Sequence, residues 1–420
     1  MCQNKEANTK VYVCEINSMN TESSSMAITP VSQLSFDNTE IAFQSRSAFQ
    51  LRKMYWLFKM MNNQQVVQWG TSLLEKALNW GLPVDWAIRS TIYSQFCGGV
   101  SIEDCKKTIQ FLHQNHIGTI LDYSVEGEKT EEGFDKTMEQ VLGTIRLAEN
   151  NPAIPFTVFK LTGVGSFDLM AKVQARRNLV PSERAAYQRM EERVETICQE
   201  AASRKVRLFF DGEETWIQQV IDWLCYRMME QHNQETAIVW NTFQLYRWDM
   251  LPNLQQAYFD AQIKGYKLGA KLVRGAYMEK EVKRAKEMKY PNPIQPDKAH
   301  CDKDFDKAIL FCLDHFQDLH FCVGTHNEAS SMLLAKELDA RGLAHNHPSV
   351  WFAQLLGMSD NLSFNLAKAG YNVAKYVPYG PVKAVMPYLT RRAQENTSIA
   401  GQTSRELQLV QSEMKRRASK

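Results

Sequence analysis

The sequence lacks any apolar stretch approaching the roughly 20 residues that a membrane-spanning helix needs. Its first residues show neither the hydrophobic core of a signal peptide nor the Arg-rich amphipathic pattern of a mitochondrial presequence. An excess of one charge is also missing, because 49 basic and 47 acidic side chains leave a formal net charge of +2. Such a balance provides no global field for recruiting nucleic acid. These absences predict a globular protein of the cytoplasm, with peripheral contact at the inner face of the membrane as the alternative.

Sequence motifs for several common chemistries are absent as well. The nine cysteines are scattered and never spaced as a zinc ribbon or a C-x-x-C pair, and the nine histidines show no H-E-x-x-H spacing. No metal site is therefore predicted, and the thiols are expected to be reduced. The sequence has no G-x-S-x-G elbow, P-loop or G-x-G-x-x-G fingerprint. This argues against the commonest hydrolases, nucleotide kinases and open dinucleotide-binding sheets.

Four regions follow from composition and periodicity. Residues 1–44 are rich in Ser, Thr and Asn, which predicts a disordered leader. Residues 45–115 carry apolar side chains three and four positions apart, which predicts a helical arm. Residues 116–400 are expected to form the main domain. Residues 401–420 form a basic C-terminal tail, for which contact with an anionic surface and an ordinary solvated helix end both stay open.

Short β-branched or apolar runs alternate with longer amphipathic stretches in the main domain. Strands that alternate with helices predict a parallel sheet with right-handed crossovers. Eight such units over roughly 250 to 300 residues favour a closed (β/α)8 barrel of the TIM type over an open doubly wound sheet. The predicted fold is thus an α/β barrel with an N-terminal helical arm, and its strands are expected at residues 119–123, 156–161, 206–211, 237–243, 270–274, 320–324, 350–355 and 372–377.

Polar side chains follow every predicted strand, at the end where such barrels place their chemistry. At any single position a helix N-cap or a solvated loop charge explains the residue equally well. Polar residues at all eight ends favour a site, and without a metal or nucleophile motif such a barrel usually needs an organic cofactor. The candidates from the strand ends are Asp122, Lys160, Asp211, Gln244, Lys271, Thr325, His326, Asn327, Gln354 and Tyr376.

A second feature is the segment Tyr-Leu-Thr-Arg-Arg-Ala-Gln-Glu-Asn at residues 388–396, which is expected to be helical. Adjacent helical residues diverge by about 100 degrees, so Arg391 and Arg392 cannot share one solvated face. The pair could therefore hold an anion from two directions. An ordinary Arg-Arg pair on an exposed helix is the alternative.

Six motifs, taken together and in order, resemble the proline dehydrogenase (proline oxidase) family, in its monofunctional form. They are F-K-L-T-G at 159–163, F-F-D-G-E-E at 209–214, T-F-Q-L-Y at 242–246, K-L-V-R-G-A-Y at 271–277, G-T-H-N at 324–327 and the 388–396 segment. The resemblance runs from about Phe96 to Ser398. It implies an FAD-binding barrel that oxidises L-proline to Δ1-pyrroline-5-carboxylate by hydride transfer from proline C5 to flavin N5.

The resemblance also assigns roles to individual side chains. Arg391 and Arg392 would hold the substrate carboxylate, Lys160 would add a third positive donor, and Asp211 would keep this cationic cluster in place. The wall around the proline ring would consist of Tyr277, Leu355, Tyr376 and Tyr388. On the flavin side, the implied contacts are Asp211, Gln244, Lys271, Val273, Gly275 and Ala276 around the ring, and Thr325, His326, Asn327 and Glu395 around the ribityl, phosphate and ribose groups.

Alternatives and partners complete the expectations. Hydroxyproline oxidation on the same scaffold is one alternative, against which Tyr376 argues, because that position is generally small in the sister group. A catalytically silent proline-binding barrel is a second, and a metal-dependent hydrolase or aldolase using Lys160 or Lys271 is a third. The resemblance implies a quinone as electron acceptor and a separate dehydrogenase that consumes the pyrroline carboxylate.

Overall fold

The computed structural model describes residues 30–63, 65–67, 69–70, 80, 85–125, 128–398 and 402–420, with the backbone alone for 394–398 and 402–404. Parallel strands pair in chain order, and β8 returns to pair with β1, so the sheet closes into a barrel. The predicted barrel is confirmed, with strand boundaries that differ by two residues or fewer from those expected. The strands are β1 (Ile117–Tyr123), β2 (Phe156–Phe159), β3 (Arg207–Phe210), β4 (Val239–Gln244), β5 (Leu268–Val273), β6 (Leu319–Gly324), β7 (Val350–Leu355) and β8 (Val373–Tyr379).

Helices precede the barrel, link its strands and follow it. Several begin at side chains that cap the first turn: Thr130 accepts from the Gly133 amide, and Asp297 from the His300 amide. The α-helices of the described part are α1 (Thr39–Phe43), α2 (Ala48–Met61), α3 (Asp85–Ile88), α4 (Ser94–Phe96), α5 (Ile102–Gln114), α6 (Glu131–Ala148), α7 (Phe167–Gln174), α8 (Pro181–Ser203), α9 (Thr215–His232), α10 (Met250–Lys264), α11 (Met278–Met288), α12 (Lys298–Asp314), α13 (Glu328–Ala340), α14 (Asp360–Lys368), α15 (Val382–Ser398) and α16 (Gln402–Ala418).

The interior of the barrel is filled by a buried aromatic cluster. Phe156 stacks on Phe209 with ring centroids 4.5 Å apart, and Trp240 meets their edges at 5.1 and 5.6 Å. The Arg207 guanidinium lies 5.3 Å from the centre of the Phe156 ring. Because side chains fill the interior of the barrel in this way, a ligand can bind only at the mouth formed by the C-terminal ends of the strands.

Residues 30–44 are folded, which differs from the leader expected up to residue 44. Leu34, Phe36 and Phe43 are buried, and Asn38 caps α1 by accepting from the Ile41 amide at 3.1 Å. Burial of three large apolar side chains within 15 positions is enough to anchor this segment. The prediction did not detect them because it was based on the polar composition of residues 1–44 as a whole. Residues 1–29 of the expected leader lie outside the described residues.

The expected C-terminal tail contains the helix α16, which packs against α2. Leu409 and Val410 are buried, and the Glu413 carboxylate accepts from Arg416 and Arg417 at 2.6 to 2.9 Å. Arg417 also donates to the carbonyl oxygens of Phe43 and Arg46, both at 2.7 Å. The cations of α16 therefore largely pair with acceptors within the protein. Within the ranges given above, no helix combines the length and apolarity that crossing a membrane requires.

Candidate active site

Three strands contribute one polar cluster at the centre of the barrel mouth. Lys271 on β5 forms an ion pair with Asp211, which follows β3, and donates to the Tyr376 hydroxyl on β8 at 2.6 Å. That hydroxyl in turn donates to Asp211 Oδ1 at 3.1 Å. The Lys271 ammonium lies 5.1 Å from the centre of the Phe209 ring, so the cluster rests directly on the aromatic interior. Burial raises the pKa of Tyr376 well above its usual 10, so the phenol stays protonated and can donate.

The loop after β3 is tied to the loop after β2, where Lys160 lies. The Glu213 carboxylate accepts from the Thr162 amide at 3.1 Å and from its hydroxyl at 2.5 Å. Burial raises the pKa of Glu213 to about 7, although the positive charge of Lys160 acts in the opposite direction. The two loops thus hold Lys160 and Asp211 in a fixed relation at neighbouring strand ends.

A chain of hydrogen bonds orients Gln244 at the end of β4. Its amide nitrogen donates to the Glu213 carbonyl at 2.8 Å and to Gln218 Oε1 at 3.4 Å. Gln218 accepts in addition from the Glu213 amide at 2.8 Å and donates to Asp222 Oδ1 at 2.9 Å. An ionised carboxylate can only accept, so Asp222 determines which end of Gln218 faces it. Asp222 therefore fixes, through Gln218, the orientation of the Gln244 amide.

The β5 end exposes its backbone at the mouth. Gly275 has φ +132°, a conformation that side chains rarely tolerate, and a Cβ there would lie 2.5 Å from the Tyr246 ring. Gly275 and Ala276 are exposed, Val273 is half-buried, and Tyr277 is buried where α11 begins. The exposure of Gly275 and Ala276 is compatible with the expected approach of a ligand to this backbone. The Tyr246 ring also leaves no room for a side chain at position 275.

Arg274 lies in the 271–277 strand-end motif, but the sequence analysis gave it no role. Its guanidinium donates to Asp302 at 2.8 Å, to the Thr325 hydroxyl at 2.7 Å and to the Ser330 hydroxyl at 3.1 Å. It also lies 4.2 Å from the centre of the Phe305 ring. Its position in the 271–277 motif, three residues after Lys271, was the available signal. Arg274 adds a second fixed positive charge between β5 and β6.

The β6 and β7 ends form the opposite side of the mouth. Asn327 caps α13 by accepting from the Ser330 amide, and Gln354 donates to the Thr325 carbonyl at 3.2 Å. His326 shares a hydrogen bond of 2.9 Å with the Ser359 hydroxyl. Burial, together with the charges of Lys375, Arg392 and Arg274, lowers the pKa of His326 to about 3, so its imidazole is neutral. Leu355 is half-buried at the end of β7.

The arginine pair lies on α15, and the predicted helix is confirmed. Arg392 is buried and its guanidinium is 5.2 Å from the centre of the buried Tyr388 ring, whereas Arg391 is half-buried. The two side chains therefore have different surroundings, as adjacent helical positions require. The side chain of Glu395 lies outside the described part of the chain.

These residues offer a donor set that fits a large anionic cofactor with a planar ring. Lys271 supplies a donor near the barrel axis, Arg274 supplies a cation between β5 and β6, and the Gly275–Ala276 backbone is open. The buried Tyr246 hydroxyl has no hydrogen-bond partner among the described residues. Such an orphaned polar atom is costly unless a ligand or water satisfies it. Residues at the β4, β5 and β6 ends could thus hold a flavin dinucleotide.

Comparison with known proteins agrees with this arrangement. The family model "Proline dehydrogenase" matches residues 105–405. The carbapenem antibiotics biosynthesis protein CarD of Pectobacterium carotovorum is 32% identical over 328 residues, which cover 78% of this chain and 85% of that protein. Proline dehydrogenase 1 of Dictyostelium discoideum is 31% identical, over 82% of this chain and 68% of that one. Hydroxyproline dehydrogenase of Xenopus laevis is 28% identical, over 91% and 90%.

A solved structure shares the fold. Proline utilization A from Bdellovibrio bacteriovorus, inactivated by N-propargylglycine, superimposes with a TM-score of 0.66 at 16% identity over 90% of this chain. The matched region is only 40% of that solved protein's length. The family match spans the barrel, the arginine pair and all six motifs, and two of the relatives exceed 30% identity over more than two thirds of the chain. The chain therefore belongs to the proline dehydrogenase family.

Proposed function

We propose that this protein oxidises L-proline to Δ1-pyrroline-5-carboxylate with FAD as its cofactor. The observation that carries the proposal is the Asp211–Lys271–Tyr376 cluster at the barrel mouth, in which Lys271 is buried and its two partners are half-buried, accompanied by an arginine pair on the helix after β8. When bound, FAD would supply the hydride acceptor for proline C5.

Arg391 and Arg392 bind the carboxylate of the substrate. Two guanidinium groups with different surroundings can approach one carboxylate from two sides, and each forms charge-assisted hydrogen bonds with it. Lys160 adds positive charge at the β2 end. Fixing the carboxylate orients the ring, so C5 is presented at reacting distance. The same positive charges favour the neutral form of the proline amine, and hydride can leave C5 only when the nitrogen lone pair is free.

Asp211 and Tyr376 hold Lys271 in place. The ammonium donates one hydrogen bond to each of these partners, so its third N–H group can donate to the cofactor at the β5 end. Gln244, oriented through Gln218, supports the polar edge of the ring, and Val273, Gly275 and Ala276 flank it. Thr325, His326, Asn327 and Glu395 serve the ribityl, phosphate and ribose groups. Asp211 acts on the cofactor through Lys271, since the ion pair fixes the position of the ammonium group.

Tyr376, Tyr277, Tyr388 and Leu355 enclose the pyrrolidine ring. The Tyr376 hydroxyl is engaged by both Lys271 and Asp211, so its ring cannot move aside without breaking two hydrogen bonds. A 4-hydroxyl group on the substrate would have to compete with this fixed wall. The arrangement favours L-proline over hydroxyproline.

The electron acceptor belongs to the same proposal. Electrons taken from proline pass on to a quinone, and a separate pyrroline-5-carboxylate dehydrogenase consumes the product. A protein with these partners would reside in the cytoplasm or at the inner face of the membrane.

An anaerobic absorption spectrum tests the function. Purified protein is expected to be yellow with about one FAD per chain, and L-proline is expected to bleach the flavin band, with trans-4-hydroxy-L-proline much slower. A protein that FAD cannot reconstitute would contradict the cofactor assignment. Reduction by hydroxyproline at least as fast as by proline would instead support the sister activity, and a flavoprotein that neither compound reduces would support the silent barrel.

A further inference from the structure

The outward side of α2 carries large apolar side chains interleaved with cations. Phe49, Trp56 and Met60 are 77%, 58% and 49% exposed. They share this side with the exposed Arg52 and Lys59 and with the half-buried Lys53, whose ammonium donates to the Ser94 hydroxyl at 2.7 Å. Their spacing of three, four and seven residues places them on one stripe of the helix. We call these six residues the arm face. It is the reverse of the side that carries Leu51, Met54 and Phe58, which are buried.

The charge on the arm face has one sign. No Asp or Glu occurs anywhere from residue 41 to residue 74. The Lys59 ammonium lies 4.9 Å from the centre of the Trp56 ring and 5.6 Å from that of Tyr55. Trp69 and Trp86, further along the arm, are also exposed, at 79% and 73%. Exposed tryptophan beside lysine is the combination that occupies the boundary between lipid headgroups and hydrocarbon.

We propose that the arm face docks on an anionic lipid surface. The apolar side chains would enter the headgroup boundary, and the three cations would pair with lipid phosphates. A second copy of this chain is a poorer partner, because a two-fold contact would bring the cations of one face against those of the other. The C-terminal helix is a poorer site for lipid than the sequence suggested, since Arg416 and Arg417 are paired with Glu413, and Lys420 with Glu40.

Docking through the arm face would bring the active site close to the lipid. The buried side of α2 belongs to one apolar cluster with Tyr388 and Leu389 of α15, the helix that bears Arg391 and Arg392. Only the thickness of α2 and its contact layer would separate that helix from the surface. A lipid-dissolved electron acceptor would then meet the enzyme beside its barrel mouth. This last consequence rests on the proposed function, whereas the docking itself does not.

Vesicle co-sedimentation of the full-length holoprotein tests the docking. We expect binding to vesicles of phosphatidylcholine with 30% phosphatidylglycerol, and weak binding to phosphatidylcholine alone. Arg52→Gln/Lys53→Gln/Lys59→Gln should lower the partition coefficient on the order of a hundredfold. Phe49→Ser/Trp56→Ser should lower it on the order of tenfold or more. The matched control is Ile263→Ser/Lys264→Gln on α10, where Ile263 is 84% exposed.

The outcomes distinguish a lipid surface from a second copy of this chain as the partner of the arm face. Wild-type protein that ignores anionic vesicles, or arm and control variants that lose binding equally, would overturn the proposal. A dimer in sedimentation velocity that Phe49→Ser/Trp56→Ser dissociates would assign the face to a second copy and would overturn it as well. If the proposed function also holds, the arm variants should lose turnover with a long-chain quinone in vesicles but keep turnover with a soluble acceptor. Loss of binding without any proline oxidation in the wild type would refute the function and leave the docking supported.

Discussion

At the scale of single residues, Arg391 and Arg392 carry most of the functional argument. If both bind the substrate carboxylate in a site closed to water, losing either one costs about 2 to 5 kcal/mol. Arg391→Met and Arg392→Met should therefore each lower kcat/KM for proline by a factor on the order of thirty to several thousand. FAD content should remain normal. Steady-state kinetics on both variants measures the effect.

Pyrrolidine supplies the control for this experiment, because it keeps the reacting ring and lacks the carboxylate. It should be a poor substrate for the parent enzyme and should lose much less on mutation. Equal losses with proline and pyrrolidine would mean that the arginines support the fold or the cofactor.

Tyr376 is expected to determine the preference for proline over hydroxyproline. Tyr376→Ser removes one packed wall of the pocket and should shift discrimination toward trans-4-hydroxy-L-proline by ~1 to 3 kcal/mol in the ratio of the two kcat/KM values. Tyr376→Phe keeps the ring and loses only the hydroxyl held by Lys271 and Asp211, so its specificity should stay closer to the parent's. A ratio unchanged in the Ser variant would remove Tyr376 from the pocket wall.

The sequence indicated these residues one by one but not their contacts. Lys271 is 60 residues from Asp211 and 105 from Tyr376, and no local pattern predicts that three such positions share hydrogen bonds. These contacts depend on closure of the barrel, because the ends of β3, β5 and β8 lie at one mouth only when β8 pairs with β1. Arg274 received no role from the sequence, because two of its three side-chain partners, Asp302 and Ser330, lie on helices outside the strand-end pattern.

At the scale of elements, α9 controls the β4 end through Asp222. In Asp222→Asn the side chain can both donate and accept, so only the Glu213 amide still orients Gln218, and Gln244 is held less firmly. We expect FAD to bind on the order of tenfold more weakly, as for the loss of one hydrogen bond to a charged group. The measurement is quenching of flavin fluorescence on titration of the apoprotein.

Asp249→Asn is the matched variant for this test. Asp249 borders the same polar cavity of about 270 Å³ as Asp222, but it pairs with Arg247 instead of Gln218. Equal effects of the two variants would show that the chain through Gln218 does not orient Gln244.

Elements with strong periodicity were predictable, and those held by distant partners were not. All eight strands and the helix of the arginine pair follow from alternation and spacing. Asp222 lies inside α9, where an acidic residue on a helix is ordinarily solvated. Only the packing of Asn241 and Gln218 around its carboxylate, both at 2.9 Å, marks it as part of the site.

At the scale of the whole molecule, Glu406 makes stability depend on pH. Its carboxyl is 3% exposed and accepts from the Ser359 amide at 2.5 Å, and burial raises its pKa to about 7. In the unfolded chain the pKa returns to about 4.5, so the folded state binds more protons between these values. The free energy of unfolding should therefore fall by about 3 kcal/mol from pH 4.5 to 7 because of this group.

Denaturant unfolding of wild type and Glu406→Gln at several pH values measures this effect. The difference between the two proteins should change by that amount across the window and level off above about pH 8. Glu103→Gln, on the exposed surface of α5, is the control and should follow the wild type. Parallel curves for wild type and Glu406→Gln would show that Glu406 is ionised in the folded protein throughout.

The contact of α16 with α1 and α2 has a consequence for biosynthesis. Arg417 reaches the carbonyls of Phe43 and Arg46, which lie 374 and 371 residues earlier in the chain. A ribosome adding 5 to 20 residues per second needs about 20 to 75 s to cover that distance. During this time the nascent arm displays Leu51, Met54 and Phe58 without the helices that later cover them. The arm is thus among the first described segments to be synthesised, and these apolar side chains stay exposed until α16 can pack on them.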